Sequence, residues 1–453
     1  MRVRPITIGM LSLVITIGFA PTSSVLSSGS DPTVLLFTVA KRYEPLAWIR
    51  GADRFSSDAI IFLQDASGRH VLTQGFASTA DPSVSFDGKS VLFAGRQTIH
   101  DSWQIWEVGV TGGAPRRITS CAGDCVRPLY LPDNRLVYAK KTGGRFVIEA
   151  ADLGQGIAVQ LTYGPGNFLP TDVLRDGRIL FEAAYPLASN GTPELYTVYS
   201  DGSGVESYRC DHGKARHSGR QAASGDVIFL SGSGLGRFTS ARAQELPILA
   251  PVGEYAGESA ETSFGDWLLA SRPDAKSYFQ VKRWKPGEGN LASVVAEQSA
   301  NVIQPTLVVE RTVPKRHPSA LHDGPNANLL CLNAYTSKYK FAAGSIHSMR
   351  LYTRDSAGTT KLLGTAPVER DGSFFIQVPT EQALQIELLD SSGKTLKRQA
   401  GWFWMRRGEQ RACVGCHAGP ETAPENAVPM VLLKSTTPAD MTGARAHSSS
   451  GGH

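Results

Sequence analysis

Five short stretches decide the fold: FDGKSVLFAG at Phe86 to Gly95, PDNRLVYAK at Pro132 to Lys140, RDGRILFEAA at Arg175 to Ala184, SGDVIFLSG at Ser224 to Gly232 and FGDWLLAS at Phe264 to Ser271. Each is a tight turn feeding a short apolar strand. The turn residues Asp87, Asp133, Asp176, Gly225 and Gly265 fall 46, 43, 49 and 40 residues apart, close to the length of one four-stranded propeller blade. Within a unit the order is constant. Pro170 to Leu174 reads as an inner strand, Arg178 to Ala183 as the next, ELYTVYSDGSG at Glu194 to Gly204 as a strand and hairpin turn, and Val205 to Cys210 as the last. Asp-Gly pairs supply the positive φ that such hairpins need. Blade one is split: Val34 to Ala40 and Ala59 to Leu72 lie at the start, and VIQPTLVVE at Val302 to Glu310 is an inner strand left over at the end. Joining these ends closes a ring and removes exposed sheet edges. Six blades follow, although the split unit also admits a count of seven.

Working outward, the chain has 453 residues with Gly 46 and Pro 26, a turn-rich composition that fits a mainly β chain. With 41% hydrophobic and 19% charged residues and a net charge of +5, nothing in the charge pattern supports nucleic-acid binding. At the N-terminus, Arg2 and Arg4 precede the apolar stretch Ile6 to Ala20 and then small and hydroxylated residues to Ser30, the order of a secretory signal. That apolar run is shorter than the ~20 residues of a membrane span. An uncleaved anchor is the competing reading. The expectation is a secreted or periplasmic protein with no membrane span after signal removal.

The blade period stops at Thr312 to Leu330 (TVPKRHPSALHDGPNANLL), and hairpin-spaced strands follow at Leu329 to Ala334, Ser348 to Thr353, Thr360 to Gly364, Ser373 to Val378 and Ala383 to Leu389. They predict a small β-sandwich. The expected organisation is a signal peptide over 1–30, a β-propeller over 31–311, a sandwich over 312–400, and a short helical C-terminal segment carrying haem, with a flexible tail, over 401–453.

Cys413-Val414-Gly415-Cys416-His417 is a CxxCH sequence, the attachment signature of c-type haem. Two thiols on one helical turn would bond the haem, and His417 would sit beneath the iron as proximal ligand. A redox dithiol and a zinc half-site are the competing readings. The sixth iron position stays open: Met405, Met430, Met441, His447, His317, His322 and, less so, His212 are candidates. Trp402, Phe403, Trp404 and Met405 read either as core or as haem wall. Cys121 and Cys125 admit a local disulfide, a metal half-site or two thiols, and Cys331 reads as a buried thiol that Cys210 could reach only if propeller and sandwich touch.

The repeats resemble WD-like or TolB-like propellers. The stretch Leu362 to Asn426 resembles the middle domain and adjoining haem motif of the hydrazine synthase alpha-subunit family, most specifically in Asp371-Gly372-Ser373-Phe374, Leu388-Leu389-Asp390 and Arg407-Gly408-Glu409-Gln410. The resemblance implies a propeller ahead of that domain. In the family, several haems and partner subunits join nitric oxide and ammonium, whereas this chain has a single CxxCH. The family's catalytic haem takes a tyrosine one turn past the motif histidine, where Glu421 stands here. Hydrazine synthesis is therefore not the expectation. The expected function is an exported one-haem c-type cytochrome that relays electrons to a redox partner docking on the propeller. The alternatives are a haem oxidoreductase acting on a small, nitrogenous molecule, and a propeller binding module.

Overall fold

The computed structural model describes residues 34–154, 157–184, 192–209, 213–232, 234–241, 243–337, 339–355, 358–415 and 426–443. Six four-stranded antiparallel sheets form the propeller. Their innermost strands are Ser78–Val84, Cys125–Leu131, Asn167–Val173, His217–Gln221, Glu254–Glu261 and Asn301–Leu307. The repeat turns carry the expected backbone: Gly88, Gly177, Gly225 and Gly265 all have positive φ, as does Asp133. The side chains of Asp87 and Asp176 accept the N–H groups of Lys89 and Arg178 and so hold their turns.

Ring closure follows the sequence reading. Asn301–Leu307 pairs antiparallel with Leu35–Ala40, which continues into Ile60–Asp65 and Gly68–Val71. One blade is thus built from both ends of the propeller, and the blade count is six. Leu35, Phe37 and Val302 pack with Leu268, Val281 and Val295 of the preceding blade. Burying each of the larger side chains contributes roughly 1.5–3 kcal/mol, which makes the closing seam as apolar as an ordinary core.

All six inner strands slip register once against their neighbours. At these bulges Asp81, Arg127, Ser218, Gln304 and Gly257 adopt positive φ. A bulge re-aims a side chain, and here it gathers buried charges on the propeller axis. Arg54 bonds Asp81 and Glu258. Arg127 bonds Glu258 at 2.9 Å and reaches Glu182 at 3.5 Å, while Gln304 donates to Asp81 at 2.6 Å. Burial pushes the Glu258 carboxyl up, yet Arg54 and Arg127 outweigh it and hold the group at about 2. For Asp81 the balance tips the other way: burial raises its pKa against the pull of Arg127 and Arg54. Burial lowers that of His217.

Two further four-stranded sheets follow. One orders Gln410–Cys413, Ala327–Cys331, Phe374–Val378 and Ala439–Asp440, and the other Thr360–Pro367, Ser348–Arg354, Ala383–Leu389 and Thr395–Arg398. Leu329, Ile376, Met349, Leu351, Leu384 and Leu388 of both sheets meet in one apolar cluster. The strands Thr395–Arg398, Gln410–Cys413 and Ala439–Asp440 were not anticipated; each is two to four residues long and lies on a sheet edge, so none carries an alternating pattern of its own.

Cys413, expected on a helical turn, lies elsewhere; Cys416 and His417 lie outside the described residues. Cys413 closes a β-strand, and Val414 and Gly415 follow in a bend. Backbone pairing to Ala327–Cys331, remote in sequence, overrides the local helical reading. Among the described residues the one α-helix is Met430–Lys434.

The connection between propeller and paired sheets runs along the blade turns. Arg311 N donates to Phe86 O, Lys315 N donates to Arg175 O, and Arg316 pairs with Asp133. A Cβ on Gly177 would stand 2.1 Å from Lys315 O, so this close approach needs glycine. Among the described residues no helix is long and apolar enough to cross a membrane. The proposed signal segment lies outside the described residues.

Candidate functional site at the Cys413 strand

The approach to Cys413 begins with a backbone contact. Gly408 N donates to Asn326 O, and His322 N donates back to Gly408 O. With φ +69° and His322 O only 1.6 Å from where a Cβ would stand, Gly408 cannot carry a side chain in this arrangement. Glu409, nearly buried, then ties three segments together. Its carboxylate accepts from the backbone N–H groups of Gly204 in a propeller turn and of Arg406, and from the guanidinium of Arg411. Its carbonyl accepts from Asn328 N. The Arg407-Gly408-Glu409-Gln410 signature is therefore a joint between the propeller and the strand Gln410–Cys413.

Gln410–Cys413 runs parallel to Ala327–Cys331 with Cys413 opposite Cys331, and Leu332 N donates to Cys413 O at 2.8 Å. Cys331 is fully buried in the shared apolar cluster, and Cys413 packs against it half-buried. Two residues on, Gly415 lies so close to the turn at Asn333–Thr336 that a Cβ would stand 2.2 Å from Thr336 O. The chain entering CxxCH is thus fixed on both sides of its first thiol. Cys416, His417 and Glu421 lie outside the described residues, as do Cys210, His212, His447 and His453.

The aromatic run upstream is core. Trp402 and Trp404 pack with Phe168, Phe181 and Tyr196 of the propeller, and Trp404 meets Phe168 edge to face at 5.5 Å. Phe403 touches both this cluster and that of the paired sheets. Met405 and Met441 are buried in the cluster against which Cys413 packs. His317 instead stacks on Tyr199 with ring centroids 3.8 Å apart, and His322 is exposed on the connection. Met430 opens the short helix, where Asp371 accepts its N–H and the Ser373 hydroxyl accepts that of Val431. Burial raises the Asp371 pKa, but the bonds from Met430 and Ser373 outweigh it and hold it low.

Cys121 and Cys125 form a disulfide, with Cα atoms 6.3 Å apart. Cys121 lines a cleft of about 490 Å³ together with Arg116, Arg117, Tyr138 and Lys140, none of which neighbours Cys413. The buried charges on the propeller axis were missed in the sequence. A signal for them exists in the repeated pairs Asp81-Pro82, Arg127-Pro128 and Gln304-Pro305, where a proline breaks the inner ladder beside a polar residue.

A six-bladed propeller is joined through Glu409 to paired sheets, one of whose edge strands ends at Cys413. Residues 333–418 match the family model described as the hydrazine synthase alpha subunit middle domain. A curated relative, hydrazine synthase subunit alpha of Kuenenia stuttgartiensis, is 35% identical over 74 residues, which cover 16% of this chain and 9% of the relative. The solved Kuenenia stuttgartiensis hydrazine synthase matches in structure with a TM-score of 0.77 at 15% identity, over 89% of this chain and 72% of that one, and so shares the fold. TolB from Acinetobacter baumannii matches at a TM-score of 0.46 and 15% identity, over 62% of this chain and 67% of that one.

Proposed function

We propose that the protein is an exported one-haem c-type cytochrome that passes electrons to a redox partner docking on the propeller. The observation that carries this reading is the CxxCH motif, whose first thiol stands half-buried at the rim of an apolar cluster, fixed by a strand before it and by Gly415 after it. Such a position fits a haem edge, which needs an anchored thiol beside apolar packing. Haem c, when bound, supplies one-electron iron chemistry. Cys413 and Cys416 would hold it covalently, and His417 would be the proximal ligand. Met405 and Met441 are the sixth-ligand candidates sharing a cluster with Cys413, and His317, committed to Tyr199, is the weaker one. The paired sheets, read as a small β-sandwich, form the platform on which the motif is mounted.

A second reading has its own support. The fold shared with hydrazine synthase over most of the chain favours a haem oxidoreductase acting on a small, nitrogenous molecule between haem and propeller. One experiment separates the two. The chain is expressed with cytochrome c maturation, and oxidised and reduced spectra are recorded with and without carbon monoxide or nitric oxide. Covalent haem absorbance present in the wild type and lost in Cys413→Ala or Cys416→Ala is required by both. Low-spin iron indifferent to added ligand supports electron relay, and high-spin iron that binds it supports the oxidoreductase. A wild type without covalent haem refutes both and leaves the propeller as a binding module.

A further inference from the structure

The cleft walled by the Cys121–Cys125 disulfide measures about 490 Å³, within the ~300–1,000 Å³ range of small-ligand clefts. Its charged lining is Arg116, Arg117 and Lys140 against Glu149 and Asp152, three cations to two carboxylates. Lys140 is engaged by Glu149 at 2.9 Å, Asp152 faces Arg135 at 3.8 Å, and Arg116 pairs with Glu107. Arg117 is exposed, its Nε donates to Thr119 O, and among the described residues it has no acidic partner. The cleft therefore offers one uncompensated cation beside the disulfide.

The two sulfurs are not equivalent. Cys121 is half-buried in the cleft wall, and Cys125 is fully buried in the propeller core, so a nucleophile entering the cleft meets Cys121 first. The loop between them is held by bonds in which sulfur takes no part. Cys121 N donates to Gln104 Oε1 at 2.8 Å, and Gln104 Nε2 donates back to Cys121 O at 3.0 Å. Cys125 N donates to Trp103 O, Trp103 N donates to Asp124 Oδ1, and Lys141 N donates to Asp124 O. Breaking the disulfide leaves all these bonds in place, and the two thiols stay beside each other, ready to close again.

We propose that Cys121 and Cys125 form a thiol–disulfide exchange centre whose cleft takes a small thiol peptide bearing carboxylates. The proposal is independent of the haem reading. The thiolate of one such peptide attacks Cys121 Sγ, the bond to Cys125 Sγ breaks, and Cys125 leaves as a thiolate that takes up a proton. A second peptide thiolate attacks the peptide sulfur of the mixed disulfide and expels Cys121. Two peptide thiols have then lost two protons and two electrons to become one disulfide, and the cysteine pair has gained them. A peptide disulfide runs the same steps backwards and restores the bond. The cationic excess of the lining draws in the carboxylates, and positive surroundings favour the thiolate that Cys121 becomes.

The test places the full chain in buffers of graded reduced and oxidised glutathione, quenches in acid, alkylates, and reads the mass of the peptide spanning Cys121 and Cys125. That peptide reports on this pair alone, with or without haem at Cys413 and Cys416. The pair should pass from bonded to reduced across the series while circular dichroism of the propeller stays native. A pair that stays bonded in reduced glutathione alone, as a structural disulfide does, or that opens only as the propeller unfolds, overturns the proposal. In a second arm, reduction rates are compared for glutathione and for cysteamine, which has no carboxylate. Arg117→Gln should slow glutathione by about twofold to fivefold, the worth of one exposed ion pair, and should not slow cysteamine. No loss, or an equal loss for both thiols, overturns the preference for an acidic thiol. In a third arm, Cys125→Ala and Cys121→Ala, both checked for native melting, meet oxidised glutathione. An adduct on Cys121 in the first and none on Cys125 in the second is expected, and any other pattern overturns the order of attack.

Discussion

Replacing Glu258 by glutamine tests whether the charges on the propeller axis hold the ring together. The wild-type carboxylate bonds Arg54 and Arg127, both almost without solvent contact. Its pKa falls from an ordinary 4.5 to about 2, and at about 1.4 kcal/mol per unit this depression corresponds to about 3 kcal/mol of stability. Removing one partner of a buried ion pair costs about 3–5 kcal/mol, which agrees. Unfolding entropy near 2.1 cal/mol/K per residue over the ~270 residues of the ring gives roughly 0.6 kcal/mol/K, so the melting temperature at pH 7 should fall by about 5–9 °C. The sign with pH is fixed. A carboxyl whose folded pKa lies below its unfolded one stabilises fully above about 4.5, and that contribution drains away as pH falls toward about 2. Scanning calorimetry of wild type and Glu258→Gln from pH 7 to pH 2 should show a gap that narrows through this window. A gap that is absent at pH 7, or that stays constant down to pH 2, would refute the assignment.

Three other perturbations are specific. Gly415→Ala places a methyl group against Thr336 O and should displace the chain after Cys413; lower covalent haem yield at unchanged propeller melting is the expected readout. Reducing Cys121–Cys125 opens a short loop whose closure is worth about 2 kcal/mol by the chain-entropy relation, and a few degrees should be lost from the melting temperature with added dithiothreitol. Asp371→Ala removes the acceptor for Met430 N, a capping-type loss of about 1 kcal/mol; hydrogen exchange should quicken over Met430–Lys434 while the inner propeller strands stay protected.

Features whose cause is local could be read from the chain. Asp87 and Asp176 announce their turns because the same side chain that prefers a turn also bonds within it. The orphan strand at Val302 foretold ring closure because an unpaired apolar strand needs an edge, and Leu35–Ala40 supplies one. Features whose cause is remote could not. Glu258 meets Arg54 across 204 residues of sequence, and no local pattern marks such a pair. Cys413 lies in a strand because Ala327–Cys331 offers it a ladder, and no local pattern marks a strand that short. Glu409 was visible as part of a family signature, but its task of joining Gly204 to Arg406 emerges only once the propeller is placed beside it.

The blade shared between Leu35–Ala40 and Asn301–Leu307 also sets a timetable. A chain made from its N-terminus must present five blades' worth of strands before the sixth can be completed, so the first strand waits for a partner that is made last. Until Asn301 arrives, the nascent ring has two open edges. Once it closes, the strands from Ala327 to Arg398 emerge, and Gly408 to Cys413 follow them to meet a propeller surface already set to receive Glu409. The order of the sequence thus makes the scaffold a precondition for seating the CxxCH strand.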